Sequence, residues 1–104
     1  MNIKYEAVFI LKENCETKSV TAEIDKVIEE QKGKIFFREE LGLRKLAYKV
    51  KGNSNGYYYV INFEADENLK NITGKISTKI NTIEEVIKYI IIKKNNNEEE
   101  NIDE

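Results

Sequence analysis

Between residues 3 and 11 every odd position is apolar, and between residues 16 and 32 apolar residues recur three and four apart. That change of period separates strand from helix, because side chains alternate across a strand but return to the same helix face each turn. In the first stretch Tyr5, Ala7, Phe9 and Leu11 share one face, expected to be buried, and Lys4, Glu6, Val8 and Ile10 share the other. In the second, Val20, Ile24, Val27 and Ile28 form one helical stripe, and Gly33 follows where a left-handed C-terminal cap is wanted.

The alternation of periods continues. Residues 34–50 are rich in strand formers and interrupted by Gly42, where a bulge or bend is expected. GNSNG, residues 52–56, has turn composition, and an NG step ahead of Tyr57–Ala65 predicts a hairpin that makes the second and third strands antiparallel neighbours. Asp66 and Asn68 are expected to cap a second helix with the stripe Leu69, Ile72, Ile76, Ile80 and Ile83, weakened at Gly74. Val86–Ile92 supplies a last strand. The order β-α-β-β-α-β predicts an α+β fold of the split βαβ, or ferredoxin-like, kind: a four-stranded antiparallel sheet with two helices on one face. Its other face is left open.

A chain of 104 residues is one domain on length grounds, here expected over residues 1–94. Residues 95–104, NNNEEENIDE, hold five of the 19 acids and no base, and are expected to be an acidic disordered tail. The remainder carries 17 bases against 14 acids, a net charge of plus three. There is no histidine, which excludes the Ser/His/Asp and Cys/His nucleophile systems and most zinc sites. Cys15 stands alone and is expected to be an inert packing residue. Neither a metal nor any other cofactor is expected. With no signal-peptide pattern and no apolar run near the roughly 18 residues of a spanning helix, a cytoplasmic chain away from membranes is expected.

The run NGYYYVINF, residues 55–63, invites comparison with the aromatic strand on which an RNA-recognition motif stacks bases. That register would turn Tyr57 and Tyr59 outward and force Val60 and Asn62 under the helices, leaving a buried amide in need of partners. The opposite parity buries Tyr59, Ile61 and Phe63 and offers only Tyr58 of the three tyrosines outward. It is the one expected. The open face then shows Val8, Ile10, Tyr58 and Val60 among Lys4, Glu6 and Asn62, an apolar patch with a polar rim that suits a partner protein.

Residues 39–50, EELGLRKLAYKV, resemble the second strand of the bacterial small-subunit ribosomal protein number six family, whose pattern is close to E-E-L-G-x-R-x-L-A-Y-P-I. Glu40, Leu41, Gly42, Arg44, Leu46, Ala47 and Tyr48 match as they stand, and Tyr5-Glu6, the N-G-Y opening the third strand and the order of elements extend the likeness over about residues 3–94. The resemblance implies a ferredoxin-like protein without catalytic activity, a structural constituent of the small ribosomal subunit in the cytoplasm that binds 16S ribosomal RNA together with small-subunit ribosomal protein number eighteen. It carries RNA contact onto Arg44 and Lys45, with Lys4 a further candidate. Lys49 replaces the family's proline, and Asn2, Ile3, Glu84 and Glu85 stand where relatives often have arginines. Those two further contacts are not carried over.

The side-chain chemistry agrees with a phosphate role for Arg44, one of two arginines, whose planar fork can bridge two oxygens. Glu39 and Glu40 point to opposite faces of a strand with nothing to split their pKa values, so they make no acid-base pair. The alternative from a different class is a ferredoxin-like small-molecule or regulatory module acting as a homo-oligomer, which calls for a concave pocket. An enzyme would need chemistry that these residues do not supply.

Overall fold

The computed structural model describes residues 1–94, so the expected acidic tail lies outside the described residues. The elements are β1 (Asn2–Lys12), α1 (Thr17–Glu30), β2 (Lys34–Val50), β3 (Asn53–Asp66), α2 (Ile72–Ile80) and β4 (Val86–Lys93). The strands form one antiparallel sheet in the order β2-β3-β1-β4, and the two central strands, β3 and β1, carry most of its buried residues. Both helices cover the same face. The core between them takes Tyr5, Ala7, Phe9 and Leu11 from β1, Tyr59, Ile61 and Phe63 from β3, the α1 stripe, and Ile72, Ile76 and Ile80 from α2. No helix among the described residues is long and apolar enough to cross a membrane.

Three local details differ from the expectations, each for a physical reason. The left-handed residue closing α1 is Lys32, with φ 68°, and not Gly33. Gly33 N–H donates to the Ile28 carbonyl at 2.9 Å and Lys32 N–H to Glu29 at 3.0 Å, the paired bonds of a Schellman ending displaced one residue. Gly33 is small for a different purpose, since a Cβ there would sit 2.7 Å from Ile28 Cγ2 and 3.0 Å from the Ile28 carbonyl oxygen.

The hairpin turn is tighter than expected. Lys51 and Gly52 both have positive φ, 49° and 82°, as a two-residue type I′ turn requires, and pairing resumes at once with Val50 opposite Asn53. Asn55 and Gly56 therefore belong to β3, and the β2–β3 arm is longer than the turn composition implied. Neither Asp66 nor Asn68 caps α2. Asp66 Oδ1 instead accepts the Asn68 N–H at 2.8 Å in a local turn, and α2 starts after Asn71, itself left-handed at φ 54°.

A second, smaller apolar cluster lies on the helix-free face. Leu46 folds in from the arm against Ile10 and Ile87, with Val50 and Tyr58 packed beside them. Gly56 makes room for this contact, because a Cβ at that position would collide with Ile10 Cγ2. The arm thus covers one end of the face that the element order alone leaves open.

Candidate functional site

The parity of β3 settles what its three tyrosines do. Tyr59 is 2% exposed beneath α1, and its hydroxyl donates to Asp25 Oδ1 at 2.7 Å. Burial, with the bond to Asp25 added, pushes the Tyr59 phenol well above its ordinary value. Tyr57 is half-buried on the same side and donates to Glu40 Oε1. Tyr58 alone lies on the helix-free face, opposite Ile10 and Gly42, while Asn62 sits there opposite Glu6 and Phe37. Consecutive aromatics on β3 form no stacking platform.

Register aligns the helix-free face in rows across the strands. One row runs Glu39, Val60, Val8, Ile90; the next runs Phe37, Asn62, Glu6, Ile92; a third runs Gly42, Tyr58, Ile10, Lys88. Of the four residues expected to face a partner, Val8 and Tyr58 are partly exposed, but Ile10 is only 9% exposed and Val60 8%. Leu46 and Ile87 cover Ile10, and Val60 is shielded by its neighbours on a central strand. The greater apolar exposure lies at both edges: Ile90 (54%) and Ile92 on β4, Phe37 (48%) and Phe36 on β2. Sequence reasoning missed these four. The signal was present for β4, where Ile90 and Ile92 share the parity of Lys88 and alternate with Tyr89 and Ile91, but the bulge between Ile35 and Phe37 hid the face of the phenylalanines.

The three cations expected to touch RNA are not one cluster. Arg44 lies opposite Gly56, which pairs with Lys12, whereas Lys4 lies opposite Glu64, eight residues along β1. At about 3.3 Å per residue the two positions are about 26 Å apart, so they cannot grip the same phosphate. The Lys4 ammonium sits 5.9 Å from the Phe36 ring centroid. Arg44 shares the helix-free side with Gly42, which has φ 86° at a bulge, and Lys45 takes the opposite parity, across from Asn55. Both are exposed.

The other arginine is engaged. Arg38 Nε donates to Asp25 Oδ2 at 2.8 Å, tying the β2 edge to α1. Glu40 accepts from Tyr57, and Glu39 is exposed on the other face, so the adjacent acids act separately. Burial and then Glu85 push the Cys15 thiol up, away from thiolate chemistry. The arrangement offers an apolar sheet face and a basic arm, both suited to docking.

A family model described as ribosomal protein S6 matches residues 4–93. Small ribosomal subunit protein bS6 of Rickettsia canadensis (strain McKiel) is 33% identical over 92 residues, spanning 86% of this chain and 74% of the relative. That of Campylobacter jejuni (strain RM1221) is 35% identical over 98 residues, spanning 91% and 76%. Among solved structures, 30S ribosomal protein S6 from Thermotoga maritima superposes with a TM-score of 0.85 at 28% identity, covering 99% of this chain and 97% of that one. The chain belongs to the ribosomal protein S6 family, whose members are structural proteins of the small ribosomal subunit and not enzymes.

Proposed function

We propose that this member of the family is a structural constituent of the small ribosomal subunit that binds 16S ribosomal RNA jointly with small-subunit ribosomal protein number eighteen. The observation that carries the reading is the juxtaposition of an unhelixed apolar face, exposed at Phe36, Phe37, Ile90 and Ile92, with a basic arm bearing Arg44 and Lys45. The partner protein docks on that face, around Val8 and Tyr58, with Ile10 and Val60 as the packed floor beneath it. Such a patch mixes exposed apolar side chains with the charged and polar groups Glu6, Asn62, Lys88 and Lys94, the composition of a non-obligate protein interface.

The RNA contacts are phosphate contacts, made by Arg44 and Lys45 at the arm and by Lys4 at the far end of β1. A body charge of plus three, from 17 bases and 14 acids in residues 1–94, supports a modest electrostatic contribution rather than tight independent binding. Tagged chain expressed in dividing bacteria is expected to sediment with small ribosomal subunits and to co-purify with protein eighteen. Recovery only in the free protein fraction at physiological salt would contradict the proposal.

A further inference from the structure

Tyr48 is 83% exposed, at the middle of a segment held on both sides. Pairing between the arm strands runs from Lys45 opposite Asn55 directly to Val50 opposite Asn53, so β2 spends five steps where β3 spends two. The surplus is looped out. Leu46 anchors one end of the loop in the outer cluster and Val50 packs against the same cluster at the other, while Ala47, Tyr48 and Lys49 between them are all exposed. Bulges of this sort re-aim a side chain, and here the re-aimed group is a large planar ring with almost no contact to its own fold.

Its electrostatic setting is one-sided. Residues 41–56 contain Arg44, Lys45, Lys49 and Lys51 and not one carboxylate. Among the described residues none of these four enters an ion pair. A cationic loop without counter-charge fits a polyanion, and an aromatic ring among such cations is the arrangement by which proteins hold an unpaired nucleotide: phosphates on the ammonium groups, base on the ring.

We infer that Tyr48 is a base-stacking residue, which presents its ring to an unpaired base of the RNA while Lys49 and Lys51 hold the flanking phosphates. The inference rests on the reading that the chain binds 16S ribosomal RNA with protein eighteen, and adds a ring contact that phosphate recognition alone does not need.

The chain contains no tryptophan, so Tyr48→Trp introduces a single indole reporter. Full-length 16S ribosomal RNA is added to the complex of this variant with protein eighteen, alongside affinity measurements on Tyr48→Ala, Tyr48→Phe and Arg44→Ala. Stacking predicts quenched indole emission, affinity within about threefold of the parent for the Phe and Trp variants, and a loss of about tenfold or more for Tyr48→Ala at unchanged salt dependence. Unquenched emission with parental affinity for Tyr48→Ala, while Arg44→Ala weakens binding, overturns the stacking role and leaves the RNA-binding reading in place. An emission change on adding protein eighteen before any RNA assigns the ring to the protein interface and also overturns it. If the parent chain with its partner fails to bind the RNA at all, both the reading and the inference fall.

Discussion

The Tyr59 hydroxyl donates to Asp25 Oδ1 at 2.7 Å, and because Arg38 holds the other oxygen of the same carboxylate, this bond ties α1, β2 and β3 together through polar groups. Tyr59→Phe removes one donor but leaves Asp25 paired, so the expected loss is about 1 kcal/mol. Asp25→Ala strands a nearly buried hydroxyl and an arginine together, and the expected loss rises to about 2–3 kcal/mol. Urea unfolding of the two variants gives the order.

The same phenol predicts alkaline behaviour. Its folded pKa lies above the ordinary 10.0, so the folded state keeps a proton that the unfolded chain gives up. The stabilisation is complete below pH 10 and is lost as pH rises past it. Thermal midpoints measured from pH 8 upward should fall more steeply above pH 10 for the parent than for Tyr59→Phe. Parallel curves for the two proteins would count against the buried, hydrogen-bonded phenol.

Lys32 occupies a left-handed position at φ 68° where a residue with a Cβ is strained. Lys32→Gly is expected to raise stability by about 0.5–1 kcal/mol, with an upward shift in the melting temperature. Gly33→Ala has the opposite sign, because the added methyl meets both the side chain and the carbonyl of Ile28. Differential scanning calorimetry on both variants checks the pair of signs.

These details mark where the sequence was legible. Period alone located β1 and the buried stripe of α1, because each buries one face against the same core and a slip would expose it, whereas β2 and β4 were legible from their strand-forming residues. The parity of Tyr58 and Tyr59 followed from the cost of burying Asn62. What period could not give was the arm: three register shifts on β2 reset which side chains face outward, so Phe37 and the coverage of Ile10 by Leu46 were invisible to a strict two-residue alternation. Gly33 followed the helix as a cap glycine would, yet serves close packing one residue later. Arg44 and Lys45 are exposed and Lys4 is half-buried, and only register shows that Lys4 is remote from Arg44.

At the sheet face, Ile90→Glu and Ile92→Glu place charges on exposed positions and are expected to leave the unfolding midpoint unchanged within about 0.5 kcal/mol. Affinity for protein eighteen should drop at least about tenfold in each, because a carboxylate would be stripped of water in the interface. Calorimetric titration with the isolated partner separates the two effects. Parental affinity in both variants would move the interface off this face.

At the arm, Arg44→Ala should lower RNA affinity at every salt concentration and reduce the slope of log affinity against log salt by about one, the signature of a lost phosphate contact. Filter binding of the partner-bound complex between low and physiological salt reads the slope. Unchanged slope with unchanged affinity would remove Arg44 from the interface.

The central claim is joint binding: an apolar sheet face that seats a partner protein and a basic arm that becomes useful once the partner is seated. The direct measurement is the affinity of the chain for 16S ribosomal RNA at physiological salt, with and without saturating protein eighteen. Weak binding alone and a gain of at least about tenfold with the partner is the predicted result. Equal affinity in the two titrations would contradict the account.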